Sequence, residues 1–332
     1  MCQEKQNGQV LVSITSLAYN QEQYVRRTLD GFVSQKTDFA FEILIHDDAS
    51  TDKTADIIRE YEEKYPDLMR PVYQTENQYS KGVKVGVELR RRARGKYIAF
   101  CEGDDYWTDP EKLQRQVDYM EAHPECSLCV HATRVIDEAG NPTGQEFRPF
   151  DHDCDFDANE VILSGGGMFQ TNSMVARREL MDEYPPFYYH SPVGDYPLQI
   201  YMGMCGKIHY IDRFMSAYRR QSVGSWSGKT LSSTERTVKH CDAMCRLLEE
   251  VAEYDGTYAD ACRKRIDLFR IYAALLEGDR KTVKALRGNV DRSRLTHAMR
   301  IGIYLPGVYR LLRGRRTRKA AEKREQSAGK RG

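Results

Sequence analysis

Over the first hundred residues, short apolar runs alternate with sets of apolar residues at helical spacing. Residues 10–14 form a short apolar run that reads as a strand, and Tyr24, Val25, Leu29, Phe32 and Val33 then recur at helical intervals over 22–35. Residues 41–45 are a second strand, and 53–65 a helix that Thr51 or Asp52 is placed to cap. A third strand is expected at 70–74, a helix at 82–94 and a fourth strand at 97–100. Strands alternating with helices predict an α/β fold whose central sheet is mostly parallel and flanked by helices. Beyond it the pattern predicts a helix at 111–122, a strand at 127–135, a loop over 141–159 and a glycine break at 165–167. A short element at 173–177, a helix at 196–204 opened by Asp195 and a strand at 208–211 follow. From Leu231 the spacing is helical, over 234–253, 258–277 and 292–313, which predicts a C-terminal helical extension.

Composition narrows the class. The 332 residues, 40% hydrophobic and 30% charged, suffice for a full core, and no stretch approaches the run of about 18 apolar residues that a membrane-spanning helix needs. Residues 1–9 are polar and lack the basic-then-apolar pattern of a secretory signal, so a cytoplasmic location is expected. Nine cysteines without a repeating pattern suit reduced thiols, and Cys126 and Cys129, on opposite faces of a strand, are expected in the core. The net charge of +1 is uneven. From Ile301 onward ten Lys or Arg stand against two Glu, so the tail carries +8 and the remainder −7.

The chemistry gathers at predicted strand ends. Asp47-Asp48 follows the second strand, and Glu102-Gly103-Asp104-Asp105 follows the fourth. In parallel sheets ligands bind beyond the carboxyl ends of the strands. Paired carboxylates repel one another, and a hard cation such as Mg²⁺ or Mn²⁺ relieves that repulsion while leaving positions for phosphate oxygens. The competing reading of Asp104 and Asp105 is a cap on the helix near Pro110, but two acidic clusters at equivalent ends favour a site. Other motifs fail. In Gly224-Ser225-Trp226-Ser227-Gly228-Lys229-Thr230 only three residues separate the glycines of a would-be phosphate loop. Asp48-x-Ser50-x-Asp52 has Lys53 where a calcium loop requires glycine. His131, His152, His190 and His209 show no ligand spacing.

Val12-Ser13-Ile14 leading to Ala18-Tyr19-Asn20-Gln21-Glu22, with residues 42–52, Gly95-Lys96-Tyr97-Ile98-Ala99-Phe100 and Glu102-Gly103-Asp104-Asp105-Tyr106-Trp107, resembles glycosyltransferase family 2. The likeness spans 9–227 and implies an inverting enzyme with the A-type nucleotide-sugar-binding fold. It also implies a nucleotide-diphospho-sugar donor, UDP-linked, and an acceptor hydroxyl on a cell-surface glycan or lipid-linked precursor. By motif, Tyr19 would lie against the base, Asp48 would accept from its ring N–H and Asp104 would contact the ribose or metal-bound water. Asp105 would ligate Mg²⁺ or Mn²⁺ on the diphosphate. Asp195 would be the general base, a role compatible with capping its helix. Arg219, Arg220 and Trp226 fall where the family has a loop over the diphosphate. Gln221 stands where many relatives carry histidine, and Ala18 where proline is frequent. Tyr106 and Trp107 are expected to wall the pocket.

The implied organisation is a nucleotide-sugar-binding domain at 9–230, a helical extension at 231–312 and a basic tail at 313–332, expected to be disordered. The apolar residues of 301–312 running into Arg313, Arg315, Arg316 and Arg318 suit an anionic membrane surface, so peripheral docking at the inner face is a further expectation. The alternative function is a non-catalytic nucleotide- or nucleic-acid-binding protein using that tail. Its basic residues lack interleaved aromatics and the rest of the chain is acidic, so no nucleic-acid partner is expected.

Overall fold

A computed structural model describes residues 9–220 and 233–309. The chain divides into two compact units. The first comprises residues up to Val161, Gly165–Tyr189 and the chain from Val193 through the last strand; the second comprises Ile162–Ser164, His190–Pro192 and the C-terminal helices.

The first unit is built on a ten-stranded sheet. β1 (Val10–Ala18), β2 (Ala40–Asp47), β3 (Val72–Tyr73) and β4 (Tyr97–Phe100) alternate with α1 (Val25–Val33), α2 (Thr54–Lys64) and α3 (Val85–Arg90). β1 runs parallel to β2 and β4, and β2 parallel to β3, as the alternation predicts. Beyond β4 the sheet becomes mixed. β5 (Tyr106–Trp107), α4 (Lys112–Ala122), β6 (Cys126–Ile136), β7 (Pro142–Phe147) and β8 (Cys154–Phe156) follow, then α5 (Ala158–Ser164), β9 (Val175–Arg177), α6 (Pro186–His190), α7 (Asp195–Cys205) and β10 (Lys207–Arg219). β9 pairs antiparallel with both β4 and β6, which joins the parallel half to the parallel pair β6–β10. The sheet order is β3-β2-β1-β4-β9-β6-β10-β5, with β7 on β6 and β8 on β10.

The core explains why these elements form. Val12, Ile14, Ile43, Ile45, Tyr97 and Ala99 pack with Val25, Leu29, Phe32, Ile58, Leu113 and Val117 of the helices, all essentially sealed from water. Every residue of β4 is buried, the signature of a strand covered on both faces. Cys126 and Cys129 are buried free thiols.

Several boundaries differ from expectation. The 141–159 stretch contains β7, whose exposed residues give no apolar period to read, and β8, which is only three residues long. The helix expected over 82–94 shrinks to α3, preceded by a 3-10 turn at Tyr79–Lys81. Trp107 shares with Tyr106 the lining of a cleft against α1. It is buried in β5, edge-on to Phe32 with ring centroids 4.8 Å apart, and donates through Nε1 to the Asn172 carbonyl.

In the second unit the helices Thr234–Tyr254 and Ala259–Glu277 precede Arg280–Leu286 and His297–Gly302. The helix expected over 292–313 is broken among the described residues into a 3-10 turn at Arg292–Arg294, the helix His297–Gly302 and helical residues at 306–309. Among them, no helix is long and apolar enough to cross a membrane.

Candidate active site

The site is assembled from the strand ends of the parallel half. Residues Ala18 and Asp47 are register partners, and the loops that follow them are laced together. Asn20 donates its N–H to Ser50 Oγ at 2.9 Å and accepts from Thr51 N–H at 2.8 Å; Gln21 N–H reaches Thr54 Oγ1 at 2.7 Å. Glu22 N–H donates to Asp52, and Lys53 N–H returns to the Glu22 carboxylate. The polar residues after β2 thus tie one loop to another; Asp52 accepts from Thr54 N–H, while the cap position of α2 falls to Lys53 rather than to Thr51 or Asp52. Asn20 (φ 52°) and Ala49 (φ 62°) both hold left-handed backbone, a conformation costly outside glycine.

Asp48 is buried, and each of its oxygens accepts a backbone N–H, from Gln78 at 2.8 Å and Tyr79 at 3.0 Å. His46 Nε2 lies 3.3 Å from the same carboxylate. Its neighbour Asp47 accepts Ser50 N–H with one oxygen, while Oδ1 is buried and finds no hydrogen-bond partner in the protein. Such an orphaned acceptor is costly unless a ligand or water completes it. Tyr19, at the end of β1, is 47% exposed and so offers a ring face.

The Glu102–Asp105 loop is drawn tight against β1. Gly103 N–H donates to Leu17 O at 3.0 Å, and a Cβ at Gly103 would stand 3.1 Å from that carbonyl and collide with Gln21 Oε1. From α1, Thr28 Oγ1 lies within hydrogen-bonding distance of the carbonyls of Gly103 (2.9 Å) and Asp105 (2.6 Å). The two aspartates then diverge. Asp105 is buried, and its oxygens accept from Arg219 N–H at 2.7 Å and Asn172 Nδ2 at 2.9 Å. Burial, then the charge of Asp104, pushes its carboxyl well above the ordinary range. Asn172 is itself held by Ser216 and Thr133, so Asp105 belongs to a closed buried network. Asp104 stays partly exposed.

Glu102 links the cluster to the later part of the chain. Burial and the charge of Asp104 raise its carboxyl to about 7; Arg90 opposes this, and Asp195 adds to it. Asp104, Glu102 and Asp195 therefore share one electrostatic neighbourhood. Asp195 is the first residue of α7, with Gly194 as the cap, and its carboxylate accepts Tyr196 N–H at 2.8 Å. Its side is open to solvent, yet protein crowds it closely enough to raise its carboxyl above the aspartate norm. Arg90 donates to the hydroxyls of Tyr184 (2.8 Å) and Tyr188 (2.7 Å), two rings stacked at 4.2 Å, and Tyr188 stands beside Gly194. Arg90 and Asn172 were invisible in the sequence, because neither lies in a spaced motif; Glu102 was visible within its run but without a role.

Arg219 differs from expectation in its surroundings. Its guanidinium spans the carbonyls of Asp104, Asp137 and Glu138 and lies 4.4 Å from the Tyr24 ring centroid, so it braces the loop that carries the aspartates. Arg220 bonds Gln145. Gln221, Trp226 and the tail from Arg313 lie outside the described residues.

The acidic run offers oxygen donors of the kind a hard cation takes. Among the described residues no three His, Cys, Asp or Glu side chains form a ready-made metal cage. Mg²⁺ and Mn²⁺ acting on phosphates need only one or two carboxylates, the remaining positions going to substrate oxygens and water. Asp104, open and beside Glu102, fits that donor set.

The sequence model of glycosyl transferase family 2 matches residues 13–185, and the chain belongs to this family. An uncharacterised protein of Mycobacterium tuberculosis is 41% identical over 220 residues, which cover 65% of this chain and 60% of that protein. A UDP-Glc:α-D-GlcNAc-diphosphoundecaprenol β-1,3-glucosyltransferase of Escherichia coli is 37% identical over 112 residues, 33% of this chain and 41% of that enzyme. Among solved structures, residues 1–349 of Staphylococcus aureus TarS in complex with UDP-GlcNAc superimpose with a TM-score of 0.62 at 16% identity, covering 95% of this chain and 92% of that one. The fold is therefore the A-type glycosyltransferase fold.

Proposed function

We propose that the chain is an inverting glycosyltransferase that moves a sugar from a nucleotide-diphospho-sugar to a hydroxyl of a lipid-linked or cell-surface glycan. The carrying observation is the set of acidic residues at the ends of β2 and β4, Asp48 held by the Gln78–Tyr79 backbone and Asp105 by Arg219 and Asn172, in a chain of this family. UDP as the nucleotide is supported by the likeness to an enzyme named for UDP-glucose and to a structure holding UDP-GlcNAc. The lipid-linked acceptor is supported by the undecaprenol diphosphate in the former's name. A cytoplasmic enzyme working at the inner membrane face is the setting that fits such an acceptor.

In this reading Tyr19 stacks on the base, and Asp48 fixes the Gln78–Tyr79 turn while its spare lone pairs face the base N–H. Asp47 Oδ1 is a second acceptor within reach of the same end of β2. We assign the cation contact to Asp104 rather than Asp105, because Asp105 is sealed within a buried hydrogen-bond network whereas Asp104 is partly exposed. When bound, Mg²⁺ or Mn²⁺ supplies Lewis-acid neutralisation of the diphosphate. Arg219 holds the backbone of Asp104 in place. Asp195 takes the acceptor's proton as that oxygen bonds to the anomeric carbon. The bond from that carbon to the diphosphate oxygen breaks on the opposite face, and the nucleoside diphosphate leaves with the electron pair. The elevated Asp195 carboxyl makes it a better base than an ordinary aspartate.

The test is a thermal-shift and donor-hydrolysis panel of UDP-, GDP- and dTDP-sugars with Mn²⁺. Selective stabilisation and turnover by one UDP-sugar is expected. Neither binding nor turnover of any donor, with Asp104→Ala indistinguishable from the parent, would overturn the reading.

A further inference from the structure

Among the described residues eight large hydrophobic side chains are exposed, and three lie within five positions of the second unit: Tyr304 (50%), Leu305 (57%) and Val308 (38%). Their exposure is fixed by packing. Ile303 and Tyr309, on either side, are buried with Leu276, Val283 and Leu295. A Cβ at Gly302 would already stand 3.0 Å from Tyr309. The chain is thus pinned at both ends, and the three apolar side chains have nowhere inward to go.

Two cations frame this patch. The guanidinium groups of Arg287 and Arg292 lie 5.4 and 5.6 Å from the Tyr304 ring centroid. Neither has a carboxylate partner among the described residues, whereas Arg300 beside them is spent on the carbonyls of Arg292, Ser293 and Leu295. The ten Lys and Arg of the sequence after Tyr309 add charge of the same sign. A second copy of this patch would bring like charges together, which disfavours self-association through it. Exposed aliphatic side chains, a tyrosine and guanidinium groups without carboxylate partners offer the chemistry that an anionic bilayer surface takes at its acyl boundary, headgroup and phosphate.

We propose that the Tyr304–Val308 turn is a lipid-insertion site. Leu305 and Val308 enter the acyl boundary of an anionic membrane, and Arg287 and Arg292 contact lipid phosphates. This rests on the lipid-linked acceptor reading above and adds to the docking expected of 301–312 the side chains that insert and the two guanidinium groups, of Arg287 and Arg292, that flank them.

Flotation of the full chain with phosphatidylcholine vesicles, with and without phosphatidylglycerol, tests it. The parent is expected to float only with the anionic lipid. Leu305→Glu combined with Val308→Glu should lower partitioning by at least about tenfold. Arg287→Gln and Arg292→Gln should each lower it by about fivefold. Because every variant keeps the tail, parent-like flotation of all of them would assign binding to the tail and overturn the proposal. A parent that does not float, or floats equally without anionic lipid, overturns it too. Donor-induced thermal shift, measured in parallel, separates these outcomes from a failure of the glycosyltransferase reading itself.

Discussion

The strand-end loops and the turn entering α7 carry the acidic residues we propose for one site, yet they are built in opposite ways. Around Asp48, Gly103 and Asp105 nearly every polar group is tied across to another element. Asp195, by contrast, accepts a backbone N–H from its own helix and is otherwise open. The difference follows from the chemistry proposed for each side. Charge stabilisation of a leaving diphosphate needs donors and carboxylates that do not reorganise, whereas a base must admit a bulky acceptor to its oxygen. One side is fixed in advance and the other is kept accessible.

The sharpest break of this contrast is Asp195→Asn, which keeps shape and removes the base. We expect kcat to fall by about 10²- to 10⁴-fold with donor affinity unchanged, checked by steady-state kinetics and donor titration. In the parent, Asp195 must be ionised to act, and crowding raises its carboxyl. The acid limb of kcat/KM should therefore lie above the ordinary aspartate midpoint of about 3.9. A limb at or below that value would remove Asp195 from the role.

The two neighbouring aspartates offer the next test. Asp105→Ala leaves the Arg219 N–H and the Asn172 amide without their acceptor in a buried network, so a loss of about 2–4 kcal/mol in denaturant unfolding is expected. Asp104→Ala, at a partly exposed position, should change stability by less than about 0.5 kcal/mol while abolishing the Mn²⁺-dependence of donor binding. If the stability effects were reversed, the braced and open roles of the pair would be exchanged.

How far these roles were legible in the sequence follows from the kind of signal each leaves. β4 and its acidic run could be read directly, because a doubly covered strand must be continuously apolar and its end is where a ligand reaches the sheet. The division of labour between Asp104 and Asp105 could not, since it is set by Asn172 and by the backbone of Arg219, 67 and 114 residues away. The likeness to the family put Arg219 in a loop over the diphosphate, but a motif does not carry its contacts with the carbonyls of Asp104, Asp137 and Glu138. β7 escaped notice for the opposite reason: its exposed residues are not asked to be apolar.

Beneath the braced side lies Lys112, fully buried, 4.2 Å from the Trp107 ring centroid and donating to Gln116 Oε1 at 2.7 Å. Burial lowers its ammonium to about 7. Above that pH the folded protein holds a neutral amine while the unfolded chain remains protonated up to about 10.4. Stability should therefore rise with pH across this window, by about 1.4 kcal/mol per unit from this group alone, and flatten below about 7. Lys112→Met should remove that component, so the parent-minus-variant difference between pH 7 and 9, from urea melts, isolates it at about 2 kcal/mol. Equal slopes would show that the amine stays charged within the core.

The smallest effect tests what makes the strand-end loops rigid. Ala49 sits at φ 62°, where alanine is strained by about 1 kcal/mol and glycine is not. Glycine also gains freedom in the unfolded chain, worth roughly the same amount in the other direction. Ala49→Gly should therefore leave stability within about 0.5 kcal/mol of the parent. Ser50→Ala removes the acceptor of Asn20 N–H and should cost about 1 kcal/mol. If the cross-loop hydrogen bonds set the geometry, Ala49→Gly will bind donor as the parent does and Ser50→Ala will bind it more weakly. The reverse ranking in donor titrations would mean that the limited backbone freedom of Ala49, rather than the lacing between loops, holds the site ready.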